Sequence, residues 1–565
     1  MGKTAYKKTK DVNNRLQVAE YGAFLCIIGL VLWQGSFFPI QLLLLIALAL
    51  LAFILLGKTL SVPKEALFLF GITLLYAISI PILSENHYTG LIELLRTLIF
   101  PVALIVFCSY NSQKAEQAIF ISLMCVAVLG LLAFFSIIYI PGAVIESTNR
   151  LQSVIQYANT TALLMLIGIL YSVNSYIKDR AATSKRGCPW YKKYGKLICC
   201  LIFAITLFLT GSRTTLVIAL AVCSLYAFIM SGKRGKIIVA GSVMLAVFAV
   251  LCLNSFTDIR IFQISIYEAT LVERWITFQD ALQMMRGSWL VGIGAGNWQQ
   301  WQFMYQSAPY HVMFIHNYYL QLLLDGGLLA PLLFLAATLP ALIKGMISKS
   351  LHAVILIAVM LQALLDFDLI FPAVAVISSF SLSQLIKPGK QVVAGKFRYI
   401  AIAPLLVVLV LWCSELYSSN ADANLLRGNT GAAMSRYRTA ALLNPLNTDL
   451  YYQMAQSTQD IEKAEELLRT GIEKNPRDLR AISALVMVES IKGNYTNALD
   501  LCEILIENRR FSTEYHELFL DTAEKALGSG AINESQFEEI QSRLDLISLQ
   551  LNPLYVRYIT QQEEH

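Results

Sequence analysis

The sequence predicts an all-α protein in two parts: a polytopic membrane body of about thirteen transmembrane helices, then a polar α-helical solenoid. Three observations predict it. Apolar runs long enough to span a bilayer recur as far as residue 416, basic clusters fall between some of them, and past Ser419 the composition turns polar and self-similar.

The chain has 565 residues, 56% hydrophobic and 15% charged, which excludes an ordinary soluble protein. A run of about 18 apolar residues crosses roughly 30 Å of hydrocarbon as a helix. Such runs lie at roughly 18–36, 39–57, 65–83, 91–109, 118–140, 158–176, 197–211, 214–231, 237–254, 317–343, 351–369, 371–386 and 398–416. Backbone polar groups in lipid must be paired inside their own segment, so each run reads as a helix. The first lacks a small-residue cleavage site and reads as an uncleaved membrane helix.

The net charge of +6 is informative through its placement. Lys3, Lys7, Lys8, Lys10 and Arg15 precede the first run, and Lys178, Arg180, Lys185, Arg186, Lys192, Lys193 and Lys196 fill one connection. Lys233, Arg234 and Lys236 fill another, and Lys387, Lys390, Lys396 and Arg398 a third. With an inside N-terminus, the positive-inside rule puts all of these in the cytoplasm and 37–38, 84–90, 141–157, 211–213, 255–316 and the tail outside. They are orientation signals, which argues against a nucleic-acid partner. The expected organisation is a basic cytoplasmic segment 1–17, a membrane domain 18–390 with a large outer loop at 255–316, a final transmembrane helix at 391–418 and an extracytoplasmic repeat domain at 419–565. The cysteines show neither metal-ligand spacing nor a disulfide ladder.

In the tail, Ala433…Asn444-Pro445 is echoed by Ala464…Asn475-Pro476 and more loosely by Ala498…Asn508. Gly428-Asn429-Thr430 likewise matches Gly493-Asn494-Tyr495. This pattern over roughly 421–527 resembles tetratricopeptide repeats, whose period is about 34 residues. Stacked helix pairs of that kind build a concave surface for peptides or extended chains. A helical segment at 535–550 is expected to close the stack.

Charged side chains near a bilayer are costly and mark function. Arg150 lies just before the sixth run, Arg213 in the tight turn Thr210-Gly211-Ser212-Arg213, and Arg274 in Val272-Glu273-Arg274-Trp275. Trp275, Phe278, Leu282 and Met285 follow helical spacing there. A guanidinium fork bonds two oxygens of a diphosphate and never deprotonates; the plainer role is snorkelling to lipid phosphates. His316-Asn317 opens the tenth run, where an imidazole can serve as general base or merely as a polar contact at a helix start. Asp325 lies within that run, and Asp366 and Asp368 lie near the outer end of the next; a buried carboxylate can orient the histidine or pair with an arginine. Gly292-Ile293-Gly294-Ala295-Gly296-Asn297 lacks the lysine of a nucleotide loop and reads as a turn letting backbone fold over the cleft.

Taken in order, the Thr-Gly-Ser-Arg turn at 210–213, the Glu-Arg…Ala helix at 273–281, Gly-x-Gly at 292–294 and His316-Asn317-x-x-Leu320 with Asp325-Gly326 resemble the family of O-antigen ligases, O-antigen polymerases and protein O-oligosaccharyltransferases. The resemblance covers roughly 20–390 and implies a GT-C-like membrane glycosyltransferase of the bacterial inner membrane. It further implies transfer of a glycan from undecaprenyl diphosphate to an acceptor hydroxyl on the outer face, with inversion and without metal, nucleotide sugar or other cofactor. Carried onto this chain, Arg213 and Arg274 hold the diphosphate with Arg150 as helper, His316 activates the acceptor, and Asn317 positions it. Asp325 stands where the family often carries an acidic residue. The acceptor is a glycan, lipid or protein, the last docked on the repeats. The alternatives are a polymerase of lipid-linked repeat units and a transporter or flippase of lipid-linked glycans.

Overall fold

The computed structural model describes Gly22, Cys26 and residues 28–56, 59–110, 113–183, 190–232, 269–548 and 550–563. The expected span at 237–254, the cluster Lys233, Arg234 and Lys236, residues 255–268 of the outer loop and the basic N-terminal segment lie outside them.

The described chain is mostly helical. It runs α1 (Pro39–Leu56), β1 (Thr59–Val62), α2 (Lys64–Leu83), α3 (His87–Ser109), α4 (Gln113–Phe134), the short strands β2 (Val144–Ile145) and β3 (Arg150–Leu151), α5 (Ala158–Thr183), α6 (Trp190–Leu209) and α7 (Arg213–Met230). After the undescribed stretch come α8 (Ala269–Met284), α9 (Trp298–Tyr305), α10 (Tyr318–Gly326), α11 (Leu329–Ile347), α12 (Leu351–Ala363), α13 (Pro372–Ser383) and β4 (Lys390–Val393). The remainder is α14 (Ile402–Leu426), α15 (Thr430–Leu443), α16 (Asp449–Gln456), α17 (Ile461–Lys474), α18 (Leu479–Ile491), α19 (Tyr495–Asn508), α20 (Thr513–Ser529), α21 (Glu534–Ser548) and α22 (Pro553–Glu563).

Among the described residues, 7 helices are long and apolar enough to cross a membrane: those over 64–83, 87–109, 114–134, 158–179, 213–230, 329–347 and 397–426. The apolar helices at 39–55, 194–209, 351–363 and 372–383 are shorter. Several expected spans are corrected. The run 317–343 is two helices, because Gly327 (φ +69°) turns the chain between α10 and α11. The run 351–369 stops being α-helical after Ala363, where the chain loops through Asp366 and Asp368; α13, expected over 371–386, ends at Ser383, and α4, expected to 140, ends at Phe134. The final helix does not end at 418 but continues unbroken to Leu426, so the boundary at 419 falls inside it.

The 158–179 stretch of α5 is 72% buried against 22–39% for the other six, which makes it the centre of the bundle. Around it, α13 is buried over nearly its whole length, Ser378, Ser379 and Ser381 included. Chain direction sorts the connections to two ends. At one, β1 pairs antiparallel with β4 (Thr59 opposite Val393), and the Ser61 amide donates to Ser109 Oγ beneath α3. At the other, the turns 84–86 and 210–212, the hairpin β2–β3, the segment 284–317 and the loop 364–371 meet.

Beyond α14 each helix packs mainly on its sequence neighbours. Ala433, Ala464 and Ala498 each occupy the fourth position of α15, α17 and α19 and are buried. The 535–550 segment is α21, and α22 then leaves the row of helices: Leu554, Tyr555 and Tyr558 pack on the small core of Val272, Ile276, Trp298 and Tyr310. The tail is fastened to the segment before α10 by polar contacts as well. Arg510 donates twice to the Gln306 carbonyl (3.2 and 2.6 Å), the Asn552 amide donates to Ser307 O (2.8 Å), and Arg477 pairs with Glu85 (3.0 Å) while covering the Trp301 ring.

Charge-assisted hydrogen bonds contribute about 1.5–3 kcal/mol each. Arg510→Ala is therefore expected to lower the thermal midpoint and to speed proteolytic cleavage between residues 298 and 311, read on full-length protein in detergent.

Candidate functional site

The site is built from the residues that meet where α10, α5 and α12 approach one another. Its local geometry starts at Asn317, whose extended backbone (φ −163°) and side-chain oxygen, accepting from the Leu320 amide at 3.0 Å, cap α10. A cap fixes the entry angle of the chain, and His316 immediately precedes it. His316 Nδ1 lies 3.1 Å from Asp366 Oδ1.

Asp366 is the hub. It is 1% exposed. Arg274 Nη2 lies 3.5 Å from its Oδ2, Tyr157 donates to Oδ1 at 2.9 Å, the Phe367 amide donates to Oδ1 at 2.9 Å, and Asn159 Nδ2 donates to Oδ2. Arg274 also donates to the Leu365 carbonyl at 3.0 Å. Burial alone raises a carboxyl's pKa, but here the His316 hydrogen bond and the His316 and Arg274 charges outweigh it and hold Asp366 below the usual range. Two residues on, Asp368 bonds Thr160 Oγ1 and is pushed the other way by burial and by the Asp366 charge. The two neighbouring carboxyls are therefore pushed in opposite directions, and Asp366 Oδ1 lies within hydrogen-bond distance of His316 Nδ1.

Aromatic rings floor this polar group. Phe367 lies 5.3 Å from the His316 ring and 5.0 Å from Tyr157, and Phe371 stacks on Phe37 at 4.5 Å. The rings confine the charges to the end of the bundle.

Arg150 is tied into the scaffold: Nε donates to Thr210 O (2.9 Å) and Nη2 to Asn159 Oδ1 (3.1 Å). It thereby joins the 210–213 turn to Asn159, one of the hub's own donors. Gly211 (φ +62°) allows that turn, and a Cβ there would meet the Arg150 side chain at 3.4 Å. Arg213 is half-buried at the head of α7, and the same turn is fastened to α12 through Ser212, Thr215 and Gln362 (2.9 and 3.2 Å).

Asp325 is placed elsewhere. It accepts from Tyr76 Oη at 2.9 Å and from Gln321 at 3.1 Å, bracing the end of α10 against α2. The glycine run folds over that same end. Gly292, Gly294 and Gly296 have φ of +79°, +98° and +80°, and a Cβ at Gly292 would lie 2.4 Å from Leu324 O. The run is a structural clamp: the Ile293 amide donates to Leu324 O (2.7 Å), and Asn297 Nδ2 to Leu83 O (2.7 Å). Sequence reading singled out His316 and Arg274 and missed Tyr157, Asn159 and Thr160. Their signal was a polar Tyr157-Ala158-Asn159-Thr160-Thr161 cluster at the mouth of an apolar run.

The ionised Asp366 stabilises the fold above the free carboxylate range of about 4, and that contribution is lost as pH falls toward its lower folded value. Breaking a buried pair costs about 3–5 kcal/mol. Asp366→Asn is expected to unfold at a lower temperature at pH 7, with its deficit against the wild type shrinking below about pH 4; a pH series of thermal unfolding curves reads both.

Residues 198–335 match the family model described as O-antigen ligase, a stretch that includes Arg213, Arg274, the glycine run and His316 and stops short of Asp366. No curated protein matches the chain. The chain is thus a multi-pass membrane protein carrying an O-antigen ligase family domain.

Proposed function

We propose that this protein is a membrane glycosyltransferase that moves a glycan from undecaprenyl diphosphate to an acceptor hydroxyl on the outer face of a bacterial inner membrane. The observation that carries the reading is the shared Asp366 carboxylate, which holds an imidazole and a guanidinium at one bundle end. The domain match over 198–335 supports the reaction class. The sidedness is supported by the charges: Lys344, Lys349, Lys387 and Lys390 lie toward the opposite end, beside the β1–β4 pair.

In this reading the acceptor hydroxyl gives its proton to His316 Nε2 as its oxygen attacks the anomeric carbon. The bond from that carbon to the diphosphate oxygen breaks, and the leaving group departs with the electron pair. Direct displacement from the opposite face inverts the anomeric centre. Arg274 and Arg213 bind the diphosphate as charge develops on it, the position where fixed cations stabilise a transition state most. Asp366 sets the imidazole tautomer and Arg150 holds the turn that presents Arg213. The tail, an extracytoplasmic tetratricopeptide-like stack in this reading, supplies an acceptor surface beside the site.

A positioned base contributes about 10²–10⁴-fold to rate. His316→Ala and Asp366→Asn are expected to lose activity within that range in cells lacking the native gene, with undecaprenyl-linked glycan accumulating and surface glycoconjugate lost. Arg274→Lys is expected to be damaging as well, since an ammonium cannot reproduce the fork. Unchanged glycoconjugate in the His316→Ala strain, with the protein present in the membrane, would overturn the assignment.

A further inference from the structure

Helix α8 lies outside the spanning helices, yet it is apolar on two faces. One face, with Val272, Ile276, Ala281 and Met284, is buried against Trp298, Tyr310 and Ile315. The other presents Leu271, Trp275 and Leu282, 47%, 57% and 43% exposed, on one helical stripe. The stripe continues into the turn Trp289-Leu290-Val291, which is 44%, 79% and 65% exposed. Sequence spacing grouped Trp275, Phe278, Leu282 and Met285 on one face; the fold splits them, burying Met285 and leaving Trp275 and Leu282 outside. An apolar surface of this extent that includes two tryptophans is not left facing water.

We infer that this outer face and the 289–291 turn seat in the headgroup–acyl boundary of the bilayer, making α8 an in-plane interfacial helix. Continuity identifies the occupant. The Leu328 amide donates to Trp289 O at 2.8 Å, which fastens the turn to the head of α11. Gly327 permits the close approach, since a Cβ there would lie 2.1 Å from Leu290 O. From that point the exposed residues Leu329, Leu332, Leu339, Ile343 and Ile347 run the length of α11, one of the helices able to span the membrane. On the other side of α8, Leu364 and Leu365 are 46% and 43% exposed beside the Arg274 contact. The lipid that covers the α11 stripe therefore continues over α8. Tryptophan concentrates at membrane–water interfaces, and amphipathic helices embed their apolar face about 5–10 Å into the boundary. Gln279 and Gln283, exposed along the same helix, and Arg286, exposed just past its end, reach the headgroups.

Lipid seating fixes the depth of the adjacent Arg274 at headgroup level, where the diphosphate of a polyprenyl lipid sits. That consequence rests on the proposed function, whereas the seating itself does not.

The test uses full-length protein in phospholipid vesicles. A nitroxide on Leu290→Cys, and separately on Leu282→Cys, in a background with the native cysteines replaced, is expected to collide more with oxygen than with an aqueous nickel chelate. A label on Leu442→Cys, 84% exposed on the tail, is expected to show the reverse. In the otherwise native chain, lipids brominated near the headgroup are expected to quench a component of fluorescence that Trp289→Phe removes. Nickel collisions exceeding oxygen at 282 and 290, suppression of both as in a protein–protein contact, or no loss of the quenchable component would overturn the inference. These measurements are independent of glycan transfer.

Discussion

A buried carboxylate shared between an imidazole and a guanidinium is the constraint on which the rest of the site depends. Asp366 is nearly solvent-free, and an ionised carboxylate in such a place is tolerated only when its lone pairs are filled. Tyr157, Asn159, the Phe367 amide, His316 and Arg274 fill them, and they come from the start of α5 and the residue before it, α8, the segment before α10 and the loop after α12. One charge therefore ties together helices that are remote in sequence. It also creates asymmetry: burial and the Asp366 charge push the Asp368 carboxyl up, while Asp366 itself is held down.

Holding that carboxylate in place requires that the apolar helices stop short of it. The chain leaves α-helix after Ala363 and resumes it at Pro372, and the eight residues between carry both aspartates and Phe367. The opposite wall needs a similar break. Gly327 turns the chain so that α10 can end against Tyr76 and the glycine clamp rather than run on into α11. The glycines at 292, 294 and 296 thus serve close backbone packing, in keeping with the turn that the run reads as once the missing lysine rules out a nucleotide loop.

The tail is part of the same construction. Arg510, Asn552 and Arg477 grip the 300–307 region from outside, and Asp280 grips it from inside by accepting from Ser307 and Tyr310. His316 follows within ten residues of this braced stretch, so the helical tail stiffens the wall that carries the imidazole.

The sequence by itself marked where most of the long apolar helices lie, though not where each one ends, because hydropathy and helical periodicity are local properties. It singled out Arg274 and His316, because an arginine, or a histidine at a helix end, is conspicuous against leucine. It also marked the helix pairs of the tail through Ala433, Ala464 and Ala498, which repeat at one helical position. Only the tertiary structure decided that Asp366, not Asp325, meets His316. Both are aspartates near apolar runs, and what separates them is where the helix breaks at 327 and 364–371 carry them. Tertiary structure alone also decided which apolar face of α8 is core and which remains outside, since periodicity reports that a face is apolar but not what covers it.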